Sequence, residues 1–464
     1  MAAERLSPLD ASFLAVERPA APMHVGWVAL FDPPEDGPRP TSAELLAHIG
    51  ARLERAPRYR QRLADVPLGL HEPVWVDDPE FDLAAHLHAA AGEDLDALTD
   101  RVLSTPLARD RPLWEMWVAT GLPDGRVGLV GKAHHCMVDG VALMQLGNLL
   151  LDRRPGDQDG DSSPPASMDG RSGPDGAWSP APPPSAAERV GYAVADRASS
   201  ALGALRLATS PSSLLGLPAA ATRGVRTLAH AVLPPAPGSP LNRPGSAERH
   251  LARLSRPLEE LRAVRRRFGV TPNDVVLAAC AGALRRFAQR RGEEPQALKA
   301  MVPADVRSSG DAAGSGNRIS FLFIELPCRE PDPVARVMAV HRATSQRERD
   351  GEADDVDAAL RALAVAPRLV QRTLAHAIAH PRLFNLVVSS VPGPAVPRYL
   401  RGCRLAEIHP AVPLADRHAV SIGVVMAAGR ACFGLYADAQ TLPDADALAA
   451  DLDAALDELL GLSA

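Results

Sequence analysis

Residues 132–140 read KAHHCMVDG. They follow an apolar run, RVGLVGKA (126–133), and precede a leucine-rich segment, 141–151. The run has strand composition and the segment helical composition, so His134 and His135 fall at a strand end and Asp139-Gly140 opens the helix beyond. Gly140 admits backbone angles closed to other residues. A turn across the interval from His135 to Asp139 can bring the carboxylate back toward the histidines. A neutral imidazole is a good base near neutral pH, so His135 is the candidate general base, taking a proton from a hydroxyl as its oxygen attacks a carbonyl carbon. Asp139 has a supporting role, fixing the loop through an arginine or a backbone donor.

The pair has other readings. Adjacent histidines could ligate a metal or form a satisfied core pair. Neighbours i and i+1 rarely converge on one ion and no HExxH accompanies them, so no metal is expected. Cys136 could be a nucleophile beside His135, but sequence neighbours seldom face each other across a strand end.

Outward from this stretch, residues 1–152 read as one mixed α/β unit. WEMWVAT (114–120) and 126–133 flank Asp124-Gly125 and form a hairpin. Thr41 and Glu44 make a capping box before Leu45, Ile49 and Leu53, with Pro57 as the stop. Leu95, Leu98 and Val102 suggest a second helix. Residues 153–185 are Pro, Gly, Ser and Asp with almost nothing to bury, and read as a linker. Val190, Val194, Ala198, Leu202 and Leu205 fall on one helical stripe, and 213–233 is a second apolar segment. These pack on the body or, within 186–233, meet a membrane surface. The segment 153–245 thus joins the first unit to a second α/β unit, 246–464. There Thr271 caps a helix with Pro272 at its first position and Val276, Cys280, Leu284 and Phe287 along its buried stripe. RISFLFIEL (318–326) and NLVVSSV (385–391) are strands, 419–427 and 431–437 form a hairpin around Gly429, and a last helix starts near Pro443.

The chain has 464 residues, 46% hydrophobic and 23% charged, with a formal net charge of -6. That fits a folded protein of two or three domains and argues against a nucleic-acid binder. No apolar run is long enough to span a bilayer and the opening MAAERLSPLD lacks the apolar core of a signal peptide. Five scattered cysteines make no Cys-x-x-Cys pair, so the expected compartment is the cytoplasm. No phosphate loop, dinucleotide fingerprint or GxSxG elbow is present, and GDAAGSGN (310–317) reads as a plain loop.

HHCMVDG resembles the HHxxxDG motif of CoA-dependent acyltransferases with the chloramphenicol-acetyltransferase-like fold. LSPLDASFLAVERPAAPMHVGWVALF (6–31), PLWEMWVATGL (112–122), NDVVLAACAGALRRF (273–287), MVPADVR (301–307) and the final hairpin and helix are similar to the bacterial wax ester synthase/diacylglycerol acyltransferase family. The resemblance covers the chain outside 153–240. It implies an α/β (α+β) fold of two chloramphenicol-acetyltransferase-like domains, mixed sheets flanked by helices, with an active-site tunnel between them. His135 matches the family's general base, His134 its supporting histidine, and Asp139 with Gly140 the motif's structural pair. Met23 and His24 match a PMH segment, Trp114 a PLW element, and Asn273 with Asp274 an ND element, all candidate substrate contacts. Each has a structural alternative: Trp114 as core, His24 as a strand residue, Asn273 and Asp274 as first-turn helix residues. Ser390 in SSVPGP, a further candidate substrate contact, stands where the family usually carries Asn, Ala304 and Asp305 replace the usual Val and Ser, and VVMAAGR (424–430) lacks a usual Ser-Tyr pair.

The implied activity is O-acyl transfer from long-chain acyl-CoA to diacylglycerol, to a long-chain alcohol, or to both, by direct attack without an acyl-enzyme. The alternatives are another hydroxyl or amine acceptor, or a non-catalytic lipid-binding homologue. No cofactor is expected beyond acyl-CoA as co-substrate; the partners are acyl-CoA and a lipid alcohol, with peripheral contact at the inner membrane or lipid bodies as an open alternative.

Overall fold

The computed structural model describes residues 4–53, 55–138, 140–156, 178–209, 234–305, 319–349 and 368–462. The first half contains β1 (Glu4–Arg5), α1 (Pro8–Val16), β2 (His24–Asp32), α2 (Ser42–Leu53), β3 (Gln61–Ala64), β4 (Val74–Asp77), β5 (Leu87–Ala91), α3 (Leu95–Ser104), β6 (Trp114–Thr120), β7 (Val127–His134), α4 (Gly140–Leu150) and α5 (Ala186–Thr209). The second contains β8 (Arg249–Pro257), α6 (Leu258–Phe268), α7 (Pro272–Arg290), β9 (Leu298–Asp305), β10 (Ile319–Leu326), α8 (Pro333–Arg349), α9 (Arg368–Ile378), β11 (Leu386–Pro392), β12 (Tyr399–Leu400), β13 (Cys403–Ala411), β14 (Val420–Ala427), β15 (Arg430–Asp438) and α10 (Ala445–Gly461). Among the described residues, no helix is long and apolar enough to cross a membrane.

Local sequence accounts for most element ends. Thr41 and Glu44 cap α2 reciprocally, with Thr41 N–H donating to Glu44 Oε2 at 2.8 Å. Thr271 and Asp274 form the same box at α7, with Pro272 in its first turn. The expected hairpins pair as antiparallel neighbours, β6 on β7 and β14 on β15. Helix α5 forms where the 190–205 spacing places one, but its stripe is not the expected one. Val194 is exposed, while Ala193 packs against Val66, Val74 and Val76. Residues 213–233, 310–317 and most of 153–185 lie outside the described residues.

Two six-stranded mixed sheets carry the molecule, in the orders β12-β13-β2-β7-β6-β5 and β10-β9-β11-β14-β15-β8; β1-β4-β3 form a small third sheet. Helices α7 and α10 bury the outer face of the second sheet in one core that includes Val276, Cys280, Leu448 and Leu452. Around Trp114, Phe31, Leu45 and Ile49, a second core fills the first half. Strands β12 and β13, which the sequence reading places in the second unit, pair in the first sheet, with β13 antiparallel to β2.

That crossing brings β13 onto the second sheet. Pro410 lies against Gly423 of β14 and Gly434 of β15, where a Cβ on Gly434 would sit 2.0 Å from the Pro410 carbonyl oxygen. Only a residue without a side chain tolerates this approach. Gly434→Ala should therefore lower stability by about 1–3 kcal/mol, the usual cost of overpacking. A Cβ placed on Gly147 of α4 would meet no atom within 4 Å, so Gly147→Ala should be neutral or stabilising by up to ~1 kcal/mol. Urea unfolding compares the two; equal midpoints would show that the strands do not meet this closely.

Candidate active site

Strand β7 is buried along its length and ends at His134. A turn follows, closed by Met137 N–H donating to the His134 carbonyl at 2.9 Å. His135 sits on this turn, and its backbone N–H donates to the Met23 carbonyl at 2.9 Å. Met23 holds φ 51°, in the left-handed region, just before β2. The β2–β7 ladder places His24 opposite His134, so the same register that pairs the strands delivers Met23 to His135. The His135 ring stacks on Phe13 of α1, with centroids 3.9 Å apart and planes 7° off parallel. Helix α1 is held by Ser7, whose Oγ accepts from the Asp10 N–H at 3.0 Å.

His134 points the other way, into protein. Its Nδ1 accepts the Cys136 backbone N–H at 3.1 Å, which assigns the proton to Nε2. Nε2 lies 3.7 Å from Glu17 Oε1, and Arg109 binds the other Glu17 oxygen. Burial holds the His134 pKa well below the ordinary value, with the Arg109 and His135 charges adding to the effect. His24 is held down in the same way, by burial first and then by Lys132, His134 and Arg249. Both rings therefore stay neutral at physiological pH. Burial pushes the Cys136 thiol far above its ordinary range, so it carries no thiolate.

The exposed edge of His135 meets a cleft of about 1310 Å³, its open mouth included. From the first half, α1 contributes Leu9, Phe13 and Val16, beside Met23 and His135. The second half supplies Met301 and Pro303 of β9, Phe321 of β10, Leu374, Ala375 and Ile378 of α9, Val387 of β11 and Pro413. The few polar neighbours are Ser12, Glu72, Gln371 and Arg372. An imidazole at the end of an apolar channel can exchange a proton where water is scarce and hydrocarbon is favoured.

The expected site residues separate here. Met23 and His135 line the cleft; His134 and His24 are buried behind them. Trp114 is wholly buried, its Nε1 donating to the Tyr59 carbonyl at 2.7 Å and its ring stacked on His86, and it does not reach the cleft. Asn273 and Asp274 open α7 away from the lining. Asp274 is buried and accepts from Thr344 Oγ1 at 2.6 Å and pairs with His341 Nδ1 at 2.8 Å, tying α7 to α8. Strand alternation puts Ser390 with Val388, on the face that the second sheet turns to α7 and α10; Ser389 shares the face of Val387, toward the cleft. Gly140 is the first residue of α4, and Asp139 lies outside the described residues. Among the described residues, no group of three His, Cys, Asp or Glu is placed to hold a metal.

Phe13 and the α9 residues did not emerge from the sequence reading. Ser7-Pro8 with Asp10 is a helix-start signature, and Val370, Leu374 and Ile378 follow helical spacing, so both helices had local signals. Nothing local says that the two pack together across the cleft.

Comparison with known proteins places this geometry. Residues 6–276 match the wax ester synthase/diacylglycerol acyltransferase catalytic domain, and residues 315–460 the C-terminal domain of the same family. A Mycobacterium tuberculosis (strain CDC 1551) protein bearing the name diacylglycerol O-acyltransferase is 33% identical over 491 residues, covering 100% of this chain and 91% of that protein. The solved wax ester synthase/diacylglycerol acyltransferase from Marinobacter aquaeolei VT8 superposes with a TM-score of 0.70 at 26% identity, covering 99% of each chain. A starter condensation domain of rhizomide synthetase, solved with C8-CoA, shares the fold at TM-score 0.59 and 14% identity over 99% of this chain and 94% of that one.

The two neutral histidines make stability depend on pH. Their folded pKa values lie below the ordinary 6.5. As pH falls below that value the unfolded chain binds protons that the folded chain refuses. Their stabilisation is thus complete above pH 6.5 and is lost below it, at about 1.4 kcal/mol per pH unit for each ring. Urea unfolding between pH 7 and 5 should show this slope, and His24→Asn should reduce it by about one ring's share. A slope unchanged in the variant would show that His24 takes up its proton while folded.

Proposed function

Because the chain belongs to the wax ester synthase/diacylglycerol acyltransferase family, we propose that it moves a long-chain acyl group from acyl-CoA to diacylglycerol, to a long-chain alcohol, or to both. It is an acyltransferase of that family, whose members use acyl-CoA as substrate. Placement of His135 carries the assignment of residues: among the described residues it is the histidine that lines the apolar cleft. Residues 1–152 supply this base and 246–464 most of the opposite wall, with 153–245 as the connection.

His135 takes the proton of the acceptor hydroxyl. The oxygen attacks the thioester carbonyl, and a tetrahedral intermediate forms. The imidazolium then returns the proton to the departing CoA sulfur, leaving ester and free thiol. Stacking on Phe13 and the hydrogen bond to Met23 fix the ring and its turn, which supports a base held ready before substrate arrives. His134, neutral and facing Glu17, serves as a positioning residue, and Asp139 completes the motif. Trp114, Asn273, Asp274 and Ser390 act through the packing of the elements that carry them. The protonated, buried Cys136 supports direct attack over an acyl-enzyme. Each methylene of the acyl chain placed in the apolar cleft contributes about 0.8 kcal/mol.

A lipid acceptor implies contact with a membrane or lipid body. Val194 and Val370 are exposed apolar side chains, 58% and 47%, open to such contact. Liposome flotation of the full chain should show lower recovery for Val194→Glu with Val370→Glu; unchanged recovery removes these positions from the contact.

The activity test is CoA release from palmitoyl-CoA with diacylglycerol and with hexadecanol. His135→Ala should lose roughly 10²–10⁴ in rate, the usual worth of a general base, while Cys136→Ala stays near wild type. A His135→Ala enzyme at full rate would remove the base, and no release with either alcohol would remove the acceptor assignment.

A further inference from the structure

Arg249 opens β8 in the second half of the chain and is 2% exposed. One terminal nitrogen, Nη1, donates to Asp438 Oδ2 at 3.2 Å and to the Ser246 and Glu248 carbonyls, both at 2.9 Å. Asp438 is buried and is held in turn, accepting from the backbone N–H groups of Ser246 and Thr441. Register sets the pair opposite each other, since Arg249 faces Asp438 at the end of the β8–β15 ladder. The other nitrogen, Nη2, reaches out of the second half and donates to the carbonyl of Ala20, 229 positions earlier. A guanidinium can serve both partners because its donors form a rigid planar fork. At this depth no water stands ready to replace either one.

Ala20 belongs to the turn that leads into the histidine site. Arg18 and Ala21 exchange backbone hydrogen bonds, Ala21 N–H donating at 2.8 Å and Arg18 N–H at 3.1 Å. Pro19 and Pro22 fix φ on either side of Ala20-Ala21. Met23 follows in the left-handed region, and its carbonyl accepts the His135 N–H. A short, stiff segment thus carries two anchored carbonyls. Ala20 is held by the second half, and Met23 holds the His135 turn of the first. Arg249 stays outside the cleft lining, so its reach to the site runs through this segment. The seam beside it is joined as well, with Ser104 Oγ of α3 accepting the Arg249 backbone N–H at 2.8 Å.

We propose that Arg249 is a positioning residue for His135: clamped on Asp438, it grips the Ala20 carbonyl and so sets, from the second half, the turn on which the base of the first half sits. This rests on the reading of His135 as the general base. Acyl transfer then runs at full rate only while the seam is closed, because this side chain ties the turn of the base to the half that supplies most of the opposite wall.

The experiment is a double-mutant cycle on the full chain, reading CoA release from palmitoyl-CoA with diacylglycerol or hexadecanol, whichever wild type turns over faster. Arg249→Lys keeps a charge beside Asp438 but loses the fork that also reaches Ala20. Its kcat should fall about ten- to a hundredfold, the loss produced by misplacing a reacting group by about 1 Å, while KM for palmitoyl-CoA stays as in wild type. In a His135→Ala background the same substitution should have no further effect, since the group it positions is gone. Pro22→Gly leaves the buried ion pair intact and loosens the link between the two carbonyls. It should reproduce the kcat loss at unchanged KM, and it carries the test if Arg249→Lys does not fold. Wild-type kcat in both variants, a rise in KM in place of the fall in kcat, or an equal loss with and without His135 overturns the proposal and leaves the base standing. A His135→Ala enzyme at full rate, or a wild type that turns over neither alcohol, removes the reading on which the proposal rests.

Discussion

Strand β13 leaves the half of the chain that encodes it and pairs along β2 in the other sheet. Its last residues press Pro410 onto two glycines of the second sheet. The rest of the geometry depends on this contact. It fixes the separation of the sheets, and therefore the width of the cleft whose walls they supply. A protein of this length would ordinarily bury two separate cores and leave their relation to a linker. Here the backbone hydrogen bonds of one half are completed by the other, so the halves are set by a ladder instead of a loose interface.

Within that frame the histidine turn is positioned from three directions. Strand pairing delivers the Met23 carbonyl, α1 supplies an aromatic platform, and burial keeps the neighbouring imidazoles neutral. Neutral neighbours matter electrostatically. A protonated His134 or His24 beside His135 would repel a second proton and depress its basicity. Low dielectric thus keeps the surroundings uncharged while one ring faces the cleft. The apolar wall contributed by β9, β10 and α9 provides the complement, a surface that favours hydrocarbon over water.

Much of this organisation was legible residue by residue. The capping boxes at Thr41 and Thr271, the two hairpins and the terminal helix depend on neighbours within a few positions, and periodicity reports such features directly. HHCMVDG pointed to the histidines for the same reason: a strand end, a turn and a helix start are local. Trp114, Asn273 and Asp274 were harder to judge. Their residue types suit a substrate wall or a core equally well, and only burial and partners, such as the Tyr59 carbonyl and Thr344, separate the two. Val194 shows the same limit. Its spacing fits an apolar stripe, yet Ala193 is the residue that packs, because the small sheet formed by β1, β3 and β4 determines which side of α5 is covered.

Order in the chain accounts for the strands, the helices, the apolar segments and the place of the histidine turn between a strand and a helix, since each follows from interactions between residues close in sequence. It could not show that Phe13 would stack on His135, that α1 and α9 would face each other, or that β13 would cross. Those contacts join residues more than a hundred positions apart. They exist because burying two incomplete sheets against one another satisfies backbone hydrogen bonds and removes apolar surface that neither half covers alone.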